Sequence, residues 1–142
     1  MLLDTHVWIW AADGGAKLGP KTRRRLSKPS RGASTDTPTV LVSAASIFEM
    51  AALHTAGRLR FTHSVERWIR ESVDRGRLRV VDIDLDIALD AGMMPASALA
   101  DPIDRWLVAT AREHAVPLVT ADRRILAYAS STRLVRVIDA SQ

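Results

Sequence analysis

MLLDTHVWIWAA, residues 1–12, sets the frame for the whole chain. Met1 to Leu3 is apolar and short enough for a buried strand, Asp4 interrupts it, and Thr5 to Ala12 reads as a helix. Asp4 stands out because it lies between Leu3 and an apolar helix, and a buried carboxylate demands partners. The stretch has the apolarity of a signal peptide, but it lacks a basic leading region, and Asp4 and His6 break the apolar run.

The same patterning extends outward from this opening. Apolar runs predict strands at Met1 to Leu3, Thr39 to Val42, Leu78 to Val81, Pro117 to Thr120 and Leu134 to Ile138. Helical periodicity covers Thr5 to Ala12, Pro20 to Leu26, Ala44 to Thr55, Ser64 to Arg75, Leu85 to Met93, Pro102 to Glu113 and Arg123 to Ala129. Ser43 suits a helix cap, Gly57 a helix end, and Pro20 and Pro102 first helical positions. Pro29 to Pro38, PSRGASTDTP, reads as a flexible loop. Strands alternating with helices predict an α/β sandwich around a mostly parallel sheet.

The bulk numbers agree with one domain over residues 1–142: 47% of the chain is hydrophobic and 25% charged. The absence of cysteine removes disulfides and thiolate metal sites, which fits a cytoplasmic protein. No run of about 18 apolar residues occurs, so no membrane span is expected.

Open parallel sheets bind ligands beyond the carboxyl ends of their strands. Four acids can reach such a crevice: Asp4 after the first strand, Glu49 on the helix after the second, Asp104 opening the helix before the fourth, and Asp122 just after that strand. Gathered carboxylates repel, so some stay protonated unless a cation neutralises them. A hard divalent ion such as Mg²⁺ or Mn²⁺ prefers oxygen ligands and can activate water for phosphodiester hydrolysis. Each acid also has a plainer role. Asp104 can complement a helix dipole, Asp122 can cap a helix, Glu49 can be an exposed helix residue, and Asp101 is read as an N-cap.

Four stretches, LLDTHVWIW, SAASIFEMA, DPIDRWLVATA and LVTADRRI, together resemble the PIN-domain ribonucleases, in particular the VapC-type toxins of toxin–antitoxin pairs. They occur in family order and span nearly the whole chain. The resemblance implies a PIN-like three-layer sandwich with a mostly parallel central sheet flanked by helices. It also implies Mg²⁺- or Mn²⁺-dependent endoribonuclease activity that leaves a 3′-hydroxyl and a 5′-phosphate. Carried over by position, it marks Asp4, Glu49, Asp104 and Asp122 as the catalytic, metal-binding acids; the leading expectation is that Asp4 and Asp104 hold the ion directly and Glu49 and Asp122 complete the cluster. Asp104 is chosen over Asp101 because it stands seven residues before the alanine closing LVATA. The implied partners are an RNA substrate, a cognate antitoxin that covers the acidic cleft, and a second copy packed through exposed apolar helices.

The chain also departs from that pattern. Leu53 and Leu99 stand where many relatives carry lysine and histidine, and together with the basic segment from Lys17 to Arg31 this motivates an alternative: a catalytically silent PIN-fold module that binds nucleic acid or protein. Lys17 to Arg31 holds seven basic residues and no acid, which leaves the rest of a +4 chain at −3. Such a segment suits a polyanion, although charge alone favours a solvated surface.

Other motifs carry less. VVDIDLD (80–86) has aspartates spaced as in calcium loops and haloacid-dehalogenase phosphatases. Ile87 and Met93 stand where an EF-hand needs glycine and glutamate, and Asp86 stands where the phosphatases want threonine, so a capped strand-to-helix turn is expected. No histidine pair is spaced for zinc, and His6 reads as a packed or surface residue beside Asp4. The tryptophans read as core or interface. Thr5 and Thr120 can orient a water or ligand, and Arg105 and Arg123 can either clamp phosphate or lie on helix surfaces.

Overall fold

A computed structural model describes residues 1–27 and 40–142. In chain order the elements are β1 (Leu2–Leu3), α1 (Thr5–Ala12), α2 (Pro20–Ser27), β2 (Leu41–Ser43), α3 (Ala44–Thr55) and α4 (Val65–Gly76). There follow β3 (Arg79–Val81), α5 (Leu85–Met93), α6 (Pro102–Glu113), β4 (Leu118–Thr120), α7 (Arg123–Thr132) and β5 (Val137–Asp139). Among the described residues the strands form one five-stranded sheet in the order β3-β2-β1-β4-β5, and every neighbouring pair is parallel.

A parallel sheet is covered on both faces, and the pleat assigns residues to each. Leu2, Leu41 and Leu118, which are in register, share one cluster with Ile87 of α5, Leu107 of α6 and Ile125 of α7. Their neighbours Leu3, Val42 and Val119 enter a second cluster with Val7 and Trp8 of α1 and Met50 of α3. The result is a three-layer α/β sandwich. From β1 the chain steps outward to β2 and β3, then returns to the other side of β1 for β4 and β5. The strand order therefore reverses between β1 and β4, which opens a crevice at their carboxyl ends.

Side-chain caps fix most helix starts. Ser43 accepts from the Ala45 amide (3.1 Å), Ser64 from Arg67 (3.3 Å), Asp84 from Ile87 (2.9 Å), Asp101 from Ile103 (2.9 Å) and Asp122 from Arg124 (2.7 Å). Each such cap contributes about 1 kcal/mol. Asp84 thus makes VVDIDLD a capped strand-to-helix turn. Pro20 and Pro102 open α2 and α6, and Gly57 takes the left-handed conformation (φ +71°) just past the end of α3.

Several boundaries move. Ser43 belongs to β2 while it also caps α3, and α7 runs on to Thr132. β5 begins at Val137 rather than Leu134, because only Val137 to Asp139 stand in register with Leu118 to Thr120, and Leu134 is exposed. The loop read at Pro29 to Pro38 lies outside the described residues. Among the described residues no helix is long and apolar enough to cross a membrane.

The chain's last residues fasten α2 to the carboxyl end of β5. The Gly19 amide donates to Ala140 (2.9 Å), the Thr22 amide to Gln142 (3.1 Å) and the Thr22 hydroxyl to the Asp139 carbonyl (3.3 Å). The approach is so close that a Cβ on Gly19 would lie 2.3 Å from the Gln142 backbone.

Candidate active site

The crevice between β1 and β4 holds Asp4. Its amide donates to the Val119 carbonyl (3.0 Å), and its side chain is only 7% exposed. The Thr120 hydroxyl at the end of β4 donates to Asp4 Oδ2, while Thr120 Oγ1 itself accepts from the Asp122 amide at 2.9 Å. A hydroxyl has one proton, and the amide occupies the acceptor side, so the Thr120 proton points to Asp4. Burial pushes the Asp4 carboxyl above its ordinary range, and nearby Asp122 adds to this; the Thr120 bond and nearby His6 oppose it.

Glu49 reaches the same region from α3. Burial raises its pKa and nearby Asp4 and Asp101 add repulsion, while the Thr5 hydroxyl and His6 nearby act against them. Thr5 is itself fully buried and pairs with Ser46 of α3 across 2.9 Å, which joins the start of α1 to the start of α3.

Asp104 opens α6, with its side chain 13% exposed. Its pKa is pushed up to about 7, first by burial and then by repulsion from Asp101, Asp122 and Asp4, with Arg124 opposing. Its Oδ2 atom is buried and has no hydrogen-bond partner. Asp122 behaves differently. Although partial burial acts to raise its pKa, hydrogen bonds from the Arg124 side chain and amide hold it below the ordinary range.

Asp4, Asp104 and Asp122 therefore feel one another at the switch point, and Glu49 joins them through its repulsion with Asp4. Asp122 also serves as the cap of α7, and Glu49 is half-buried rather than exposed. Asp101 is the N-cap of α6, as read, and adds its charge to the cluster. Among the described residues, no three His, Asp or Glu side chains are gathered tightly enough to grip a metal ion as they stand. The donor set nevertheless suits a hard cation: every acid offers carboxylate oxygen, and Asp104 Oδ2 is an orphaned buried acceptor.

Sequence reading missed two residues here. Arg124 pairs with Asp122 (3.1 Å) and approaches Asp104 (3.8 Å), whereas the sequence points to Arg105 and Arg123. Arg123 is exposed, and Arg105 donates to the Met94 carbonyl (3.4 Å). The cap TAD followed by two arginines was the available signal. Ser46 had none beyond its place one turn before Glu49. Two cavities lie elsewhere. One, of about 390 Å³, is lined by residues including Trp8, Leu18 and Trp68; the other, of about 520 Å³, by residues including Ile47, Ile69 and Val73, and no acid of the cluster lines either.

Comparison with known proteins places this geometry in context. The family model described as PIN domain matches residues 1–130. The chain is 34% identical over 126 residues to Ribonuclease VapC22 of Mycobacterium tuberculosis, covering 88% of each. Among solved structures, VapBC2 from Rickettsia felis, bound to a promoter DNA fragment, aligns with TM-score 0.66 at 12% identity, covering 97% of this chain and 96% of that one. VapBC-1 from nontypeable Haemophilus influenzae aligns with TM-score 0.64 at 18% identity over 99% and 98%. At those identities the structural likeness speaks to the fold.

Proposed function

The chain belongs to the PIN-domain family, and from that premise we propose that it is a divalent-metal-dependent endoribonuclease, the toxin of a toxin–antitoxin pair. The observation that carries the reading is Asp104: a carboxyl with a pKa near 7 and one unpartnered buried oxygen, set among Asp4, Glu49 and Asp122. Support comes from the relative at 34% identity, which is named a ribonuclease, and from structural neighbours described as toxin–antitoxin complexes.

Asp4 and Asp104 would hold Mg²⁺ or Mn²⁺ directly, and Glu49 and Asp122 would complete the set as ligands or through water. Such an ion, when bound, lowers the pKa of water and steadies charge on phosphoryl oxygen. The protein's own contribution is positioning. Thr120 fixes the Asp4 carboxylate, the Thr5–Ser46 pair holds the start of α3, one turn before Glu49, against α1, and the Asp122 cap ties its side chain to the start of α7. One carboxylate of the cluster orients or deprotonates the attacking water. In-line attack then leaves a 3′-hydroxyl and a 5′-phosphate.

The silent-module alternative loses part of its ground, since Leu99 is 1% exposed and its apolar character serves the core. We read residues 1–142 as one PIN-like domain in the cytoplasm, with RNA as substrate and an antitoxin over the acidic cleft. A homodimer packs through α5, whose Leu85, Leu89 and Met93 form an exposed apolar stripe at helical spacing. Mapping the fragment ends tests the chemistry: ligatable 5′-phosphates support it, and 2′,3′-cyclic phosphates would refute it.

A further inference from the structure

We propose that Arg124 is the resident counter-ion of the acid cluster, exchanged for the divalent cation when the site is loaded. The inference rests on the metal-dependent reading above. Arg124 Nη2 lies 3.1 Å from Asp122 Oδ2 and 3.8 Å from Asp104 Oδ2, so one guanidinium bridges the starts of α7 and α6. Among the described residues it is the only cationic side chain within ion-pair distance of any of the four acids.

The hydrogen-bond inventory makes the arrangement competitive. Asp122 Oδ1 accepts from the Arg124 amide (2.7 Å) and Nε (3.4 Å), and Oδ2 accepts from Nη2 (3.1 Å). The Nη2 proton fills one of the two lone pairs of Asp122 Oδ2, so a divalent cation taking the other sits beside the guanidinium charge, and repulsion between the two cations sets them in competition. Asp104 is held differently. Its Oδ2 feels Arg124 across a gap too long for a hydrogen bond, so attraction lowers its repulsion while its lone pairs stay open.

A guanidinium cannot shed its proton, so Arg124 relieves the cluster only by staying near and yields only by moving. Moving is easy, because its side chain is 63% exposed on a long stem. Exposed pairs of this kind are weak, so a doubly charged ion displaces it. The Asp122 cap survives the exchange, since the Arg124 amide holds Oδ1 independently of the side chain.

The test is calorimetric titration of Mn²⁺ into the chelator-stripped full chain without RNA, for wild type, Arg124→Gln, Arg124→Lys and Asp104→Asn. Removing the competitor should tighten Mn²⁺ binding roughly two- to fivefold in Arg124→Gln, with Arg124→Lys close to wild type. Thermal unfolding of the same proteins gives a second readout: Arg124→Gln should melt below wild type without metal, and the gap should close in saturating Mn²⁺. Equal or weaker Mn²⁺ binding by Arg124→Gln overturns this inference alone. Absence of binding in every variant, with the fold intact, overturns the metal-dependent reading and this inference with it.

Discussion

The Thr120 hydroxyl donates to the Asp4 carboxylate across 116 positions of sequence, and the same oxygen accepts the Asp122 amide. One short side chain at the end of β4 thus serves two acids, from β1 and from the start of α7. Thr120→Val keeps the shape and removes both bonds. It should cost roughly 1–3 kcal/mol in denaturant unfolding, because a buried carboxylate and an amide lose their partner. It should also weaken Mn²⁺ binding near neutral pH, since Asp4 then holds its proton more tightly. Thr120→Ser should restore both properties.

The metal-free protein should lose stability as pH rises. Asp4, Glu49 and Asp104 all titrate above their ordinary values, Asp104 at about 7. The folded state therefore holds more protons than the unfolded one between about pH 4 and 7. The favourable contribution is complete below the unfolded pKa and is lost as pH rises through the folded one. Melting temperatures in chelator should fall between about pH 5 and pH 8, and Asp104→Asn should flatten the fall while melting no lower than wild type at the upper end. A large loss in metal-free Asp104→Asn would instead assign Asp104 to the helix dipole.

The stripe on α5 predicts self-association. Leu89 is 54% exposed between Leu85 and Met93 at four-residue spacing. Leu89→Lys should shift a dimer to monomer in light scattering without lowering the melting temperature of the monomeric fold. A wild type that is monomeric at high concentration would contradict the assignment.

Gly19 tests the seating of the last residues against α2. A methyl group there meets the Gln142 backbone at 2.3 Å. Gly19→Ala should destabilise by about 1–3 kcal/mol, the usual range for overpacking, while Gly92→Ala, where a Cβ meets nothing within 4 Å, should be neutral or stabilising.

What the sequence revealed follows from which forces are local. The spans of α1, α3, α5 and α6 were legible residue for residue, and the caps Ser43, Ser64, Asp101 and Asp122 sit next to the apolar periods they start. Strand ends were less legible, because strands of two or three residues are bounded by their partners. Leu134 and Val135 have strand-like character, yet the ladder to β4 begins at Val137. That Asp4, Glu49, Asp104 and Asp122 lie near one another follows from their places beside the strand ends of a parallel sheet. The Thr5–Ser46 pair and the reach of Arg124 to Asp104 depend on side chains meeting across elements, which spacing along one chain does not encode.

The most direct test of the central claim is cleavage of a mixed, structured RNA pool by purified protein in Mn²⁺, beside an EDTA control and the Asp104→Asn variant. The account predicts fragments from the wild type in metal, and intact RNA both in EDTA and with Asp104→Asn. Wild-type levels of cleavage by Asp104→Asn, or cleavage that persists in EDTA, would contradict it.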